Sequence, residues 1–176
     1  MICRSLFLEE KKLRVLDFDD TLVKTDSYVY VKHKNGTRSK LNSAEFSIYI
    51  PKRGDVFDFS EFERIKNPIE IKKITNVLRR IVQSSGRGVV YILTARSSYA
   101  PIKRYLRDIG INSSKVYVVA LGSGNPEDKA KWIEDKIDNE EYDDIYFIDD
   151  SIKNVEAVKH MLKTKNVKWR VQLVKK

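Results

Sequence analysis

The stretch LRVLDFDDTL (residues 13–22) joins an apolar, strand-length run to a cluster of acids and a threonine. The run is nearly continuous in large apolar residues, which is typical of a strand covered on both faces of a parallel sheet. Ligands of open parallel sheets bind beyond the carboxyl ends of the strands. The stretch therefore predicts both a central strand and the place of a functional site.

Four more apolar runs follow, with segments of helical spacing between them. The runs are GVVYILT (88–94), KVYVVAL (115–121), DIYFID (144–149) and VKWRVQLV (167–174). Strands that alternate with helices indicate right-handed crossovers onto one sheet. We therefore expect a single domain over residues 1–176, with a three-layer, Rossmann-like α/β fold and a mostly parallel central sheet.

Capping residues predict where the helices begin and end. Asn67-Pro68 with Glu70 has the pattern of a capping box, and Asn125-Pro126 and Ser151 have the pattern of helix starts. A helix from about Ser98 would end at Gly110. The helix that follows Ser151 should bury one apolar face, composed of Ile152, Val155, Val158 and Leu162.

Residues 24–60 do not follow the alternation of strands and helices. The segment YVYVKHKNGTRSKL (28–41) alternates in polarity around Asn35-Gly36, which is typical of a hairpin with a type I′ turn. The segment SIYIP (47–51) is a candidate for a further strand. We expect a β-hairpin insertion that acts as a flap or small cap at the carboxyl edge of the sheet.

Polar groups stand at or just beyond four of the predicted strand ends. They are Asp17 with Asp19 after the first strand, Thr94 after the second, Lys129 after the third and Asp149-Asp150 after the fourth. Neighbouring carboxylates repel one another unless a cation lies between them, and oxygen ligands suit Mg²⁺. The set predicts phosphoryl transfer to an aspartate followed by hydrolysis.

The segments DFDDTL (17–22), LTAR (93–96), NPEDKAKW (125–132) and FIDD (147–150) resemble the four motifs of the haloacid dehalogenase (HAD) superfamily of phosphatases. The resemblance covers roughly residues 13–22 and 68–174. The short span after the first motif is also similar to the phosphatase domains of polynucleotide kinase–phosphatases and to small phage-type phosphatases.

The HAD resemblance implies a role for each motif residue. Asp17 would be the nucleophile, Asp19 the general acid and base, and Thr94 and Lys129 would hold the phosphoryl group. Mg²⁺ would be held by Asp17, the main-chain carbonyl of Asp19, and Asp149 with the assistance of Asp150. The candidates for further substrate contacts are Thr21, Ala95 and Arg96, although Arg96 could equally pair with a nearby acid.

The chain of 176 residues carries 34 Lys and Arg against 25 Asp and Glu, a formal net charge of +9. Such an excess favours an anionic partner. Within the predicted insertion, basic residues alternate with tyrosines and phenylalanines, a pattern that suits nucleic acid. The alternative is that these aromatic side chains are the packing of the insertion itself.

The sequence as a whole predicts a Mg²⁺-dependent phosphatase that acts on nucleotide or polynucleotide 3′- or 5′-phosphate ends. Because the insertion is small, we expect an open site, and a kinase or ligase partner is compatible with this function. The alternatives are a phosphatase for a small metabolite or nucleoside monophosphate, a phosphotransferase or mutase, and a non-catalytic module that binds nucleic acid or protein. We expect a cytoplasmic protein without a membrane partner. The sequence has a single cysteine, Cys3, and its N-terminus does not resemble a leader peptide. It also has no apolar run of the roughly 18 residues that a membrane span needs.

Overall fold

The computed structural model of the chain describes residues 10–86 and 89–175. Cys3 and most of the N-terminal segment lie outside these ranges, as do Arg87 and Gly88. The strands are β1 (Lys12–Leu16), β2 (Val23–Lys24), β3 (Tyr28–Lys32), β4 (Arg38–Asn42), β5 (Val56–Asp58), β6 (Ile69–Glu70), β7 (Val90–Thr94), β8 (Val116–Ala120), β9 (Asp144–Asp149) and β10 (Lys168–Leu173). The α-helices are α1 (Ser43–Ile48), α2 (Lys72–Ser84), α3 (Ala100–Asp108), α4 (Pro126–Glu140) and α5 (Ile152–Leu162).

A five-stranded parallel sheet, in the order β10-β9-β1-β7-β8, forms the centre of the molecule. Alternate residues of β1 and its continuation point to opposite faces. Leu16 and Phe18 join a core with α2 and α3, whereas Leu13 and Val15 join a second core with α4 and α5. The predicted α/β sandwich and its five strands are therefore confirmed, with helices on both faces of the sheet.

Two predicted helix starts agree with the structure, although one predicted core residue does not. Asn125 caps α4, with Pro126 at the first helical position, and the Ser151 side chain caps α5. Ile152, which we expected on the buried face of α5, is 47% exposed. It is the first residue of the helix, and the buried face begins one turn later at Val155.

The predicted helix start at Asn67-Pro68 is wrong. Asn67 has a positive φ of 43°, and its side chain donates to Asp26 Oδ2 at 2.9 Å. Ile69 and Glu70 form β6, which pairs with β2, so that α2 begins only at Lys72. Glu70 does not close a capping box, since its carboxylate accepts hydrogen bonds from Thr75 and Arg79. A tertiary pairing of two short strands overrides the local capping pattern.

The chain between β2 and β6, residues 25–68, is called the insertion below. It contains a three-stranded antiparallel sheet in the order β4-β3-β5, and the predicted hairpin is its β3–β4 pair. The turn is not type I′, because Gly36 has a positive φ of 84° and Asn35 does not. The predicted strand at 47–51 is also wrong, since α1 ends at Ile48 and the third strand is β5. Within the described ranges, no helix combines the length and hydropathy that a membrane span requires.

Candidate active site

The first site segment is a tight loop that leaves the carboxyl end of β1. The Asp17 N–H donates to the carbonyl of Ile148 on β9 at 2.8 Å, so the strand ladder continues to this residue. The chain then turns at Asp20, where φ is 56°, and both Leu22 and Val23 donate to the carbonyl of Phe18. This loop fixes Asp17 and Asp19 at the carboxyl end of the central strand, β1.

A buried lysine joins the ends of two strands. Lys129 lies in the first turn of α4, and its Nζ donates to Asp17 Oδ1 at 2.6 Å and to Asp149 Oδ2 at 2.8 Å. Asp149 also accepts from the N–H of Ser151 at 2.8 Å and from the side chain of Asn154. Three of the four predicted strand ends thus bring the lysine and two carboxylates into contact.

Two carboxylates of the candidate site, those of Asp17 and Asp149, share one ammonium group, that of Lys129. Carboxylate oxygens of Asp17, Asp149 and Asp150 lie within 4.8 Å of one another, and Asp17 and Asp149 are buried. When Asp17 and Asp149 are ionised, they carry two negative charges against the one ammonium that bonds to both, that of Lys129. Oxygen-only donors with such an excess suit a divalent cation such as Mg²⁺.

Burial and charge act on the protonation of this cluster. Burial raises the pKa of Asp17 well above its ordinary value, and the charge of Lys129 opposes this while those of Asp149 and Asp150 add to it. For Lys129, burial works to lower the pKa, but the charges of and hydrogen bonds to Asp149 and Asp17 outweigh it and raise the pKa. Lys129 is therefore a fixed cation beside Asp17.

Arg96 pairs with an acid, which is one of the two roles that the sequence left open. Its Nε and NH2 donate to the two carboxylate oxygens of Asp19 at 2.8 and 2.7 Å. Its NH1 donates to the main-chain carbonyls of Phe62 at 2.7 Å and Arg64 at 3.0 Å. These hydrogen bonds join Asp19 to the insertion. Because the Arg96 side chain is fully buried, water does not compete for them.

Most of the predicted site residues line one pocket. They are Asp17, Asp19, Thr94, Ala95, Arg96, Lys129 and Asp150. The buried hydroxyl of Thr94 accepts from the N–H of Arg96 at 3.2 Å, so its proton remains available to a ligand. Asp149 contacts the pocket through Lys129. Thr21 lies outside the lining, fully buried, and its hydroxyl has no hydrogen-bond partner among the described residues.

The insertion supplies pocket residues that the sequence analysis missed. Ser43 and Phe46 of α1 and the buried Phe62 line the pocket together with the loop that leads into α4. A Cβ added to Gly124 in that loop would lie 2.7 Å from Phe46 Cε1, so helix and loop touch. The insertion thus covers part of the site despite its small size. Only the aromatic content of residues 46–62 hinted at this, and it does not indicate which rings face the pocket.

The phenylalanines of the insertion pack against one another. The ring centroids of Phe46 and Phe59 lie 5.4 Å apart, and Phe46 with Phe57 and Phe59 with Phe62 are 5.8 and 6.2 Å apart. These rings are therefore the core of the insertion, as one of the two sequence interpretations expected.

No protein-family model, curated protein or solved structure matches this chain.

Proposed function

We propose that the protein is a Mg²⁺-dependent phosphomonoester hydrolase of the HAD type that acts through an aspartyl-phosphate on nucleotide or polynucleotide phosphate ends. The observation that carries the proposal is the position of Asp17 in the pocket, with the Lys129 ammonium 2.6 Å from one carboxylate oxygen and Asp19 in the same lining. A nucleophile, a fixed cation and a second acid then share one small volume. The resemblance of the four motifs supports the same chemistry.

The residues divide the first chemical step between them. A carboxylate oxygen of Asp17 attacks phosphorus, and the bond between phosphorus and the leaving oxygen breaks. The Thr94 hydroxyl and the Lys129 ammonium donate to the phosphoryl oxygens, where negative charge collects. Asp19 protonates the leaving oxygen, which departs as an alcohol.

Asp19 acts again in the second step, when the aspartyl-phosphate is hydrolysed. Its carboxylate takes a proton from a water molecule, whose oxygen attacks phosphorus and frees the Asp17 carboxylate and inorganic phosphate. Both Asp19 oxygens accept from Arg96 in the structure. Each oxygen keeps a second lone pair, which can take up and release the proton while the hydrogen bond from Arg96 persists.

The carboxylates fit a magnesium ion by their donor type and excess charge. Asp17, Asp149 and Asp150 would hold it, together with the main-chain carbonyl of Asp19. When bound, Mg²⁺ supplies positive charge that offsets the carboxylates and the phosphoryl oxygens.

Phosphate release with and without Mg²⁺ tests the proposal. The substrates are an aryl phosphate, mononucleotides and oligonucleotides with a 3′- or 5′-phosphate, and the proteins are the wild type, Asp17→Asn and the control Asp108→Asn. Asp108 is an exposed acid at the end of α3, outside the pocket. We expect metal-dependent release that Asp17→Asn abolishes and Asp108→Asn retains. Release by Asp17→Asn at the wild-type rate would remove Asp17 as the nucleophile.

A phosphatase for a nucleoside monophosphate or another small metabolite is the second candidate, and the contact of Phe46 with Gly124 favours it. This contact places the insertion against the pocket, as a lid over a small substrate would be. The ranking of kcat/KM between mononucleotides and phosphorylated oligonucleotides in the same assay distinguishes the two candidates.

A further inference from the structure

One face of the insertion sheet points away from the core of the protein. The strand register places directly paired residues on the same side of a sheet. Val29 and Val31 are fully buried, so the opposite side is the outer face. The residues on this outer face are Tyr28, Tyr30 and Lys32 of β3, Arg38, Lys40 and Asn42 of β4, and Val56 and Asp58 of β5.

The outer face and the adjoining loops concentrate basic side chains. Among the described residues, no acid forms an ion pair with any of Lys32, Lys34, Arg38, Lys40, Lys52 or Arg53. The acids of the same region are used otherwise. Glu45 closes the capping box of α1, Asp55 accepts from Tyr49 and the N–H of Lys52, and Asp58 accepts from the N–H of Ser60.

Two of these cations stand directly opposite each other. Lys32 pairs with Arg38 in the β3–β4 register, and like charges in this position destabilise a sheet. A third cation, Lys40, lies two residues further along β4 on the same face. The fold does not need this arrangement, whereas an anion that lies along the face would relieve the repulsion.

Two tyrosine rings lie among the cations. The Tyr30 hydroxyl donates to Glu61 Oε1 at 2.9 Å, and the Tyr28 N–H donates to Oε2 of the same carboxylate at 3.1 Å. The ammonium of Lys40 lies 3.7 Å from the centre of the Tyr28 ring. Both tyrosines are half-buried. The hydrogen bond to Glu61 fixes the position of the Tyr30 ring in advance, which lowers the entropic cost of stacking a flat ligand on it.

The outer face leads to the candidate active site along the chain. The strand β4 extends about 13 Å from Arg38, near the hairpin loop, to Asn42, at roughly 3.3 Å per residue. The next residue, Ser43, lines the pocket that contains Asp17. A ligand extended along β4 can therefore have one end at the pocket.

We propose that the outer face binds single-stranded nucleic acid, whose phosphates contact Lys32, Arg38 and Lys40 while a base stacks on Tyr30. The inference rests on the proposed function and deepens it, because it assigns the substrate as an oligonucleotide whose phosphorylated end enters the pocket. Cations that follow a backbone beside aromatic rings are the features that recognise unpaired strands. In a duplex the bases are stacked on one another and do not reach the rings.

Fluorescence anisotropy with a labelled, unphosphorylated oligothymidylate tests this binding without any turnover. The test variant is Lys32→Gln/Arg38→Gln/Lys40→Gln, and its matched control is Lys73→Gln/Arg80→Gln/Arg107→Gln, which removes the same charge from exposed positions of α2 and α3. We expect the slope of log K against log salt to fall by about 2 in the test variant only, since each phosphate contact on a single strand contributes about 0.7. Equal losses in the two triple variants would overturn the proposal.

Two tyrosine variants separate stacking from the hydroxyl contact. Tyr30→Leu should weaken binding roughly tenfold by loss of a stacked base, whereas Tyr30→Phe, which keeps the ring and loses only the bond to Glu61 that holds it, should weaken binding much less. Equal binding of a polyglutamate or of duplex DNA would also refute single-strand recognition. Since the probe has no phosphate end, binding without phosphatase activity would reject the proposed function alone, and activity without binding would reject this inference alone.

Discussion

Replacement of Arg96 by methionine should remove a large part of the stability of the protein. The side chain is fully buried and makes four charge-assisted hydrogen bonds of 2.7 to 3.0 Å, two to Asp19 and two to the carbonyls of Phe62 and Arg64. Methionine fills a similar volume and makes none of them. The variant therefore leaves a carboxylate and two carbonyl groups without their partner.

The expected loss follows from the surroundings of each group. Removal of one partner from a buried ion pair costs 3–5 kcal/mol, and since the Asp19 side chain is 15% exposed, about 3 kcal/mol applies. Each carbonyl that loses its donor adds about 1 kcal/mol. The total of about 5 kcal/mol corresponds to a fall in Tm of roughly 10–20 °C for a chain of this length.

Urea unfolding, followed by the fluorescence of Trp132 and Trp169, measures this loss. Asp19→Asn and the double variant Arg96→Met/Asp19→Asn complete a cycle that isolates the pair, and we expect a coupling of about 2–3 kcal/mol. Arg96→Lys, which keeps the charge without the planar fork, should fall between the wild type and methionine. A loss below about 1 kcal/mol in Arg96→Met, or no coupling with Asp19, would show that these hydrogen bonds do not stabilise the fold.

Three further perturbations test other parts of the structure. Asp19→Asn should slow an alkyl phosphate more than an aryl phosphate, because only the poor leaving group needs the proton; equal losses in kcat would contradict the acid role. The hydrogen bonds from the Lys52 N–H, Tyr49 and His33 lower the pKa of Asp55 from 3.8 to about 2. The ionised Asp55 therefore contributes its full stability above its unfolded pKa, and this contribution is lost as the pH falls towards 2. At pH 6, Asp55→Asn should unfold at a lower urea concentration than the wild type, and near pH 2 the two midpoints should converge. Gly124→Ala should lower the free energy of unfolding by about 1–2 kcal/mol by crowding the Phe46 ring, and the cost should shrink in a Phe46→Leu background; an unchanged cost would exclude that contact as its cause.

The central sheet was predictable because its signal is local. Four of its five strands are runs of mostly apolar residues, and strands buried on both faces need no partner to be recognised. The starts of α4 and α5 were equally local, since Asn125 and Ser151 cap their own helices. The position of Asp17, Thr94, Lys129 and Asp149 at the strand ends follows from the parallel order, so their meeting could be expected before any distance was known.

The errors share a different cause, which is contact between distant segments. Asn67-Pro68 has a good capping pattern, but the pairing of residues 69–70 with β2 decides its conformation. The partner of Arg96 could not be chosen from the sequence, because Asp19 lies 77 residues away along the chain. Nothing local marks Phe46 and Phe62 as pocket residues, since their orientation depends on how the insertion packs as a unit.

The pairing of β2 with β6 has a consequence for how such a protein can diversify. It holds the two ends of the insertion side by side, with Val23 opposite Glu70 and Lys24 opposite Ile69. When the ends of a loop are already adjacent, each doubling of its length costs only about 0.6 kcal/mol. Segments of very different size can thus be exchanged at this junction. Substrate selectivity can then change while the residues at the strand ends stay the same, provided that the new segment again offers Arg96 two carbonyl oxygens.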